Sequence, residues 1–146
     1  MPRNLPLLLI RIIVGIVFIT EGVLKFLYPG ELGAGRFAHL GLPWPHVLAP
    51  LVGALEIAGG AAVMLNLYAG DAAIVLLCVI VTALVSTKLP ILLGHAVGPF
   101  PVPKNVEHHG ILGFLHEART DLAMLFSLVA ILTDSGVRTG AGRGKR

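Results

Sequence analysis

Four stretches of this chain, Leu5 to Leu27, Val47 to Leu67, Ala72 to Leu93 and one ending at Thr133, are long and apolar enough, or nearly so, to cross a lipid bilayer. A spanning helix needs about 20 mostly apolar residues, because a rise of about 1.5 Å per residue must cover a hydrocarbon core of about 30 Å. A backbone in that solvent has to satisfy its own hydrogen bonds, which favours helices that close their bonds internally. The expected fold is therefore all-α, a four-transmembrane-helix bundle. Composition agrees, with 55% hydrophobic and 13% charged residues and a mean hydropathy of +0.87, far from the balance of a soluble domain.

With four spans both termini lie on one side. That side holds Arg3, Arg138, Arg143, Lys145 and Arg146, whereas the opposite loops hold chiefly Arg36 and Lys104. The positive-inside rule then makes the N and C termini cytoplasmic. The opening MPRNLPLLLI has the basic start of a secretory signal, but its apolar run is longer than a signal core and carries Arg11, Glu21 and Lys25, so it reads as the first span. Residues 1–134 are expected to form one four-helix membrane domain, and residues 135–146 a disordered basic tail beside anionic lipid, with no nucleic acid as partner. Cys78 is the only cysteine, which excludes an internal disulfide or a C-x-x-C redox pair.

The fourth window is the least regular. Leu122 to Thr133 would cover only about 18 Å, so the span is expected to reach back to about Phe114, drawing His116, Glu117, Arg119 and Asp121 into or beside the outer half of the bilayer. The same depth reckoning puts Glu21 and Lys25 in the outer half of span one, Lys88 near the outer end of span three, and Glu56 midway along span two. Arg11 alone lies nearer the cytoplasmic end. Charges in a membrane are costly and normally face the bundle interior and pair, so Arg11, Glu21, Lys25, Glu56, Lys88, Arg119 and Asp121 are expected to form a buried ionic cluster toward the outer face, or to line a ligand site there. Phase supports an inward orientation. Arg11, Gly15, Phe18, Gly22 and Lys25 make one stripe, and Glu56 shares a face with Gly53, Gly59 and Gly60, the small residues that let membrane helices approach closely. Arg119 and Asp121 are two apart and point to nearly opposite sides, which calls for partners on different neighbours. Such a cluster can be purely structural, setting helix register, or can serve a polar headgroup, a proton or an anion.

His39, His46, His95, His108 and His109 lie in or beside the two long outer connections, and His116 begins the last helix. None shows the fixed helical pair of a zinc site, and none lies deep in a span, so neither metal nor haem is expected. No phosphate loop, nucleophile elbow or dinucleotide fingerprint is present. Trp44, between two prolines, suits an anchor at headgroup depth, and Cys78 suits a small apolar packing role.

The pattern R-x3-G-x2-F-x3-G-x2-K across Arg11 to Lys25, the LGLPWP segment followed by ALEIAGG around Glu56, and R-x-D-L at Arg119 to Leu122 together resemble the DoxX family of small four-helix bacterial membrane proteins. The resemblance runs from about Arg11 to Asp134 and implies a multi-pass protein of the bacterial inner (plasma) membrane. It also implies signature positions at Arg11, Lys25, Glu56, Arg119 and Asp121, and an accessory role in quinone-linked redox systems, with quinone as the cofactor that role suggests. The proline-rich loop PFPVPKNVEHHG has no counterpart in the recurrent pattern. Three functions stay open: a quinone-binding subunit needing a partner that carries electrons, a non-catalytic scaffold or assembly protein, and a small-solute transporter. The lipid bilayer, protein partners in a membrane redox complex and a homo-oligomer are the associations these readings imply.

Overall fold

A computed structural model describes the backbone of residues 5–143 and the side chains of residues 5–135. The chain is all-helical, 76% helix with no strands among the described residues. Its elements are α1 (Leu5–Leu27), a short α2 (Ala34–His39), α3 (Pro45–Met64), α4 (Ala69–Ala83), a π-helical turn (Leu84–Lys88), α5 (Leu89–Leu93) and α6 (Gly110–Arg143). Three helices are long and apolar enough to cross a membrane: Leu5–Leu27, Pro45–Met64 and the continuous Ala69–Leu93. The fourth window expected from the sequence lies inside α6. That helix has 34 residues, about 51 Å at 1.5 Å per residue, and its backbone runs without a break past residue 134 to Arg143, through most of the segment that composition marks as a disordered tail. Residues 144–146 of that segment lie outside the described residues.

The four long helices pack in a ring, α1 on α3, α3 on α4, α4 on α6 and α6 back on α1. Small residues set the tightest of these seams. A Cβ added to Gly22 would stand 2.5 Å from the carbonyl oxygen of Gly53, and one added to Gly15 would stand 2.9 Å from that of Gly60. The backbones of α1 and α3 therefore touch where only glycine fits, as close-packed membrane helices do. Gly59 opens the other flank of α3 to Leu76 of α4.

Packing is uneven along the bundle. Val14 and Phe18 of α1, Val63 of α3, Ala73 and Leu76 of α4, and Leu128 and Ile131 of α6 form a dry core. These positions cluster toward the chain termini and the short α3–α4 turn. Toward the other end, under α2, the helices stand around a cavity.

The π-helical turn has an identifiable cause. Pro90 has no N–H to give to the carbonyl four residues back, and the Leu89 N–H reaches instead to the carbonyl of Leu84, five residues back. The Thr87 hydroxyl donates to the Ala83 carbonyl at 2.6 Å and that of Ser86 to the same oxygen at 3.4 Å. One extra residue per turn shifts the helical phase, and it carries Lys88 to the inner side of the bundle.

Candidate functional site

All four long helices contribute to a cavity of about 680 Å³. Its walls are apolar at Val52 and Leu55 of α3, level with the charged end, and at Ile74, Val75 and Val79 of α4 below it. Its upper end gathers charge: Glu21 and Lys25 from α1, Glu56 from α3, Lys88 from the π-helical turn, and Glu117 and Asp121 from α6. Arg36, Phe37 and Leu40 of the α2 segment close over the top.

Two ion pairs organise this end. Lys25 Nζ lies 2.7 Å from Glu56 Oε2, with side chains only 12% and 6% exposed. The ammonium also donates to the Glu21 carbonyl at 3.4 Å. The contact with Glu56 is close in distance but not aligned as a hydrogen bond, so Glu56 Oε2, buried at the cavity wall, retains an unused acceptor. A stripe of small residues around Glu56 explains its placement. With Gly53, Gly59 and Gly60 on the same face, the carboxylate comes within reach of α1 instead of being held off by bulk.

The second pair is looser. Lys88 Nζ lies 3.9 Å from Asp121 Oδ2, with side chains 16% and 22% exposed. A long, partly exposed pair contributes little. Lys88→Met is therefore expected to cost at most about 1 kcal/mol, read as a small shift in the melting temperature of the detergent-solubilised protein.

Of the seven charged residues expected to converge, five do: Glu21, Lys25, Glu56, Lys88 and Asp121 all line the one cavity. Glu21 does so without an ion-pair partner among the described residues. Arg11 does not join them. It is buried near the opposite end of α1, where its guanidinium meets Asp134 of α6 at 3.5 Å. Arg119 is a correction as well. The sequence reading gave it partners on a neighbouring helix, whereas it is exposed and its guanidinium folds back to the His116 carbonyl of its own helix. Because Arg119 and Asp121 face apart, only one can look inward, and the shorter acid does.

Arg36 and Glu117 were not singled out from sequence. Arg36 sits in what reads as an irregular loop, and only the folding of α2 across the bundle brings it over the cavity. Cys78 also differs from expectation, because it is exposed and lines the cavity instead of packing as core. A second hollow of about 730 Å³, which shares Glu117 with the first, collects His108, His109, His116 and Glu107. Among the described residues, no group of three histidine, cysteine or acidic side chains is gathered closely enough to hold a metal ion.

The helices that build this chamber carry a recognisable family pattern, since a family model described as DoxX matches residues 6–89. The chain belongs to the DoxX family. The DoxX match takes in α1, α3, α4 and the π-helical turn, and with them Arg11, Glu21, Lys25, Glu56 and Lys88, and stops short of α6. An uncharacterized membrane protein of Mycobacterium tuberculosis is 45% identical over 123 residues, covering 84% of this chain and 71% of that protein. No solved structure matches the chain. A DoxX domain, a membrane-protein relative and three membrane-length apolar helices make this an integral membrane protein.

Proposed function

We propose that this DoxX protein is a four-span protein of the bacterial plasma membrane, with both termini cytoplasmic, that binds a quinone or quinol in its outward-facing cavity as an accessory subunit of a membrane redox system. In this reading α6 is the fourth span, its apolar part packed in the ring and its charged turns at the cavity mouth, and the basic segment 135–146 lies by anionic cytoplasmic lipid. The observation that carries the reading is the cavity itself, apolar below and lined by charge above. A quinone needs that combination, an apolar slot for ring and tail and a few polar groups at headgroup depth. Lys25 and Lys88 would supply donors to a quinone oxygen, and Glu56 an acceptor for a quinol hydroxyl. The chain's own residues bind and orient, and a partner protein would supply the electron carrier.

Cys78 makes this testable. It is the sole cysteine and lines the cavity, so a maleimide is expected to alkylate it in purified protein held in lipid nanodiscs. A short-tailed quinone at ten times its Kd leaves about one tenth of the sites free and is expected to slow alkylation about tenfold. Unchanged alkylation, together with intact quinone-linked respiration in a deletion strain, would overturn the reading.

A second reading, a non-catalytic scaffold, is favoured by one observation. The ion pairs described above each join two different helices, α1 to α6, α1 to α3, and the α4–α5 rod to α6, as staples would. A transporter is disfavoured by the dry core across the terminal half, where Val14, Val63, Leu76, Leu128 and Ile131 are fully buried.

A further inference from the structure

The cavity is not sealed from the side. On α3, Val52 and Leu55 line it on the flank that also bears Gly59, which meets Leu76 of α4. On α4, Ile74, Val75, Cys78 and Val79 all line it, and the first three are exposed. The two helices thus close on each other at Gly59 and Leu76 and part toward the π-helical turn, leaving a slot that faces lipid. From Leu76 to Lys88 the slot runs about 18 Å at 1.5 Å per residue, more than one leaflet of a hydrocarbon core about 30 Å thick.

The polar end of this slot has a sign. The Lys25–Glu56 and Lys88–Asp121 pairs cancel, leaving Arg36 against Glu21 and Glu117, none of which has an ion-pair partner among the described residues. The lining therefore carries one excess negative charge, and the 94%-buried Glu56 side chain keeps an unused acceptor at the wall. Two of the three cations are paired, which leaves Arg36 as the one cation at this end without an ion-pair partner among the described residues, against the acceptors of Glu21, Glu117 and Glu56.

We propose that the cavity is loaded sideways from the bilayer through the gap between α3 and α4, and that its occupant is a single-chain amphiphile whose headgroup donates hydrogen bonds through hydroxyl or amine groups and carries no negative charge. The chain lies along Ile74, Val75 and Val79, and the headgroup stands by Glu56, Glu21 and Glu117. This rests on the reading of the cavity as a chamber for a membrane-soluble molecule, but not on that molecule being a quinone. An anionic headgroup is disfavoured by the spare carboxylates, since like charges repel in a low dielectric.

The experiment uses the full chain in nanodiscs and the rate of Cys78 alkylation. A hexadecanoyl monoglyceride at ten times its Kd is expected to slow the reaction about tenfold, and hexadecyl phosphate at the same concentration to leave it unchanged. The double variant E21Q/E117Q, altered only at the cavity mouth, turns the lining charge positive and is expected to let hexadecyl phosphate protect. Equal protection by the two amphiphiles in the wild type, or an unaltered preference in the double variant, overturns the headgroup assignment. For the route, Val75→Trp is expected to slow alkylation by a bilayer-soluble maleimide. Should that variant not fold, the wild type decides: a bilayer-soluble maleimide outpacing an uncharged, water-soluble one supports lateral loading, and the reverse order overturns it. Protection by a quinone alone would sink this inference and spare the functional reading, whereas protection by the monoglyceride alone would do the opposite.

Discussion

Lys25→Met is expected to destabilise the purified protein by about 3–5 kcal/mol, more than any other single removal of charge at the cavity, because it strands a buried carboxylate. Glu56 is 6% exposed at its side chain and lies 2.7 Å from the ammonium it would lose. The small cost predicted for Lys88→Met rests on a looser arrangement, a partner at 3.9 Å whose side chain is 22% exposed. The double variant Lys25→Met with Glu56→Leu removes both charges and replaces them with apolar bulk. Such replacements are often neutral or stabilising, so it is expected to regain most of the lost stability. Thermal unfolding in detergent, followed by helicity, checks all three variants. A Lys25→Met variant no less stable than Lys88→Met would mean that Glu56 is not dependent on its partner, and the pair would lose its structural meaning.

Gly22→Leu is expected to force α1 from α3. The new Cβ would begin 2.5 Å from the Gly53 carbonyl oxygen and 2.7 Å from an Ile57 side-chain carbon, and a backbone atom cannot rotate away as a side-chain tip can. Overpacking costs typically about 1–3 kcal/mol and occasionally more. The upper end is expected here, because separating the helices also pulls Lys25, three residues on, away from Glu56. Gly30→Leu is the matched control, since a Cβ there meets nothing within 4 Å. Comparable melting temperatures for the two variants would show that the α1–α3 seam has slack that its geometry does not suggest.

Much of this was legible from the chain. The window Leu5 to Leu27 coincides with α1, and the Ala72 to Leu93 window falls within Ala69–Leu93. Helical phase put Lys25 and Gly22 on one stripe and Glu56 among glycines, and those stripes meet. The resemblance to DoxX proteins is shown by the family match. What phase could not supply was choice between equivalents. It made Arg119 and Asp121 face opposite ways without saying which faced inward, and it gave Arg11 no partner because Asp134 is 123 positions away in sequence. A strictly α-helical wheel also cannot foresee the π-helical turn that places Lys88, although Pro90 was its visible cause. Arg36 was hidden for another reason. Its short helix has no apolar periodicity long enough to announce itself, and its place over the cavity comes from tertiary packing against α3.

The unequal packing of the two halves has a mechanical consequence. Where the glycine seam and the dry core lie, helices touch through backbone and branched side chains, and any sliding must break many contacts at once. Around the chamber α1 and α3 still touch at Gly22 and Gly53, whereas the π-helical turn and α6 stand across the cavity from that seam and meet through the looser Lys88–Asp121 pair. Breathing motions will therefore be amplified from the terminal half toward the loop half, like the jaws of a clothes-peg about its spring. Hydrogen exchange should be slowest near Val14, Val63 and Leu128 and quicken toward Lys88 and Asp121.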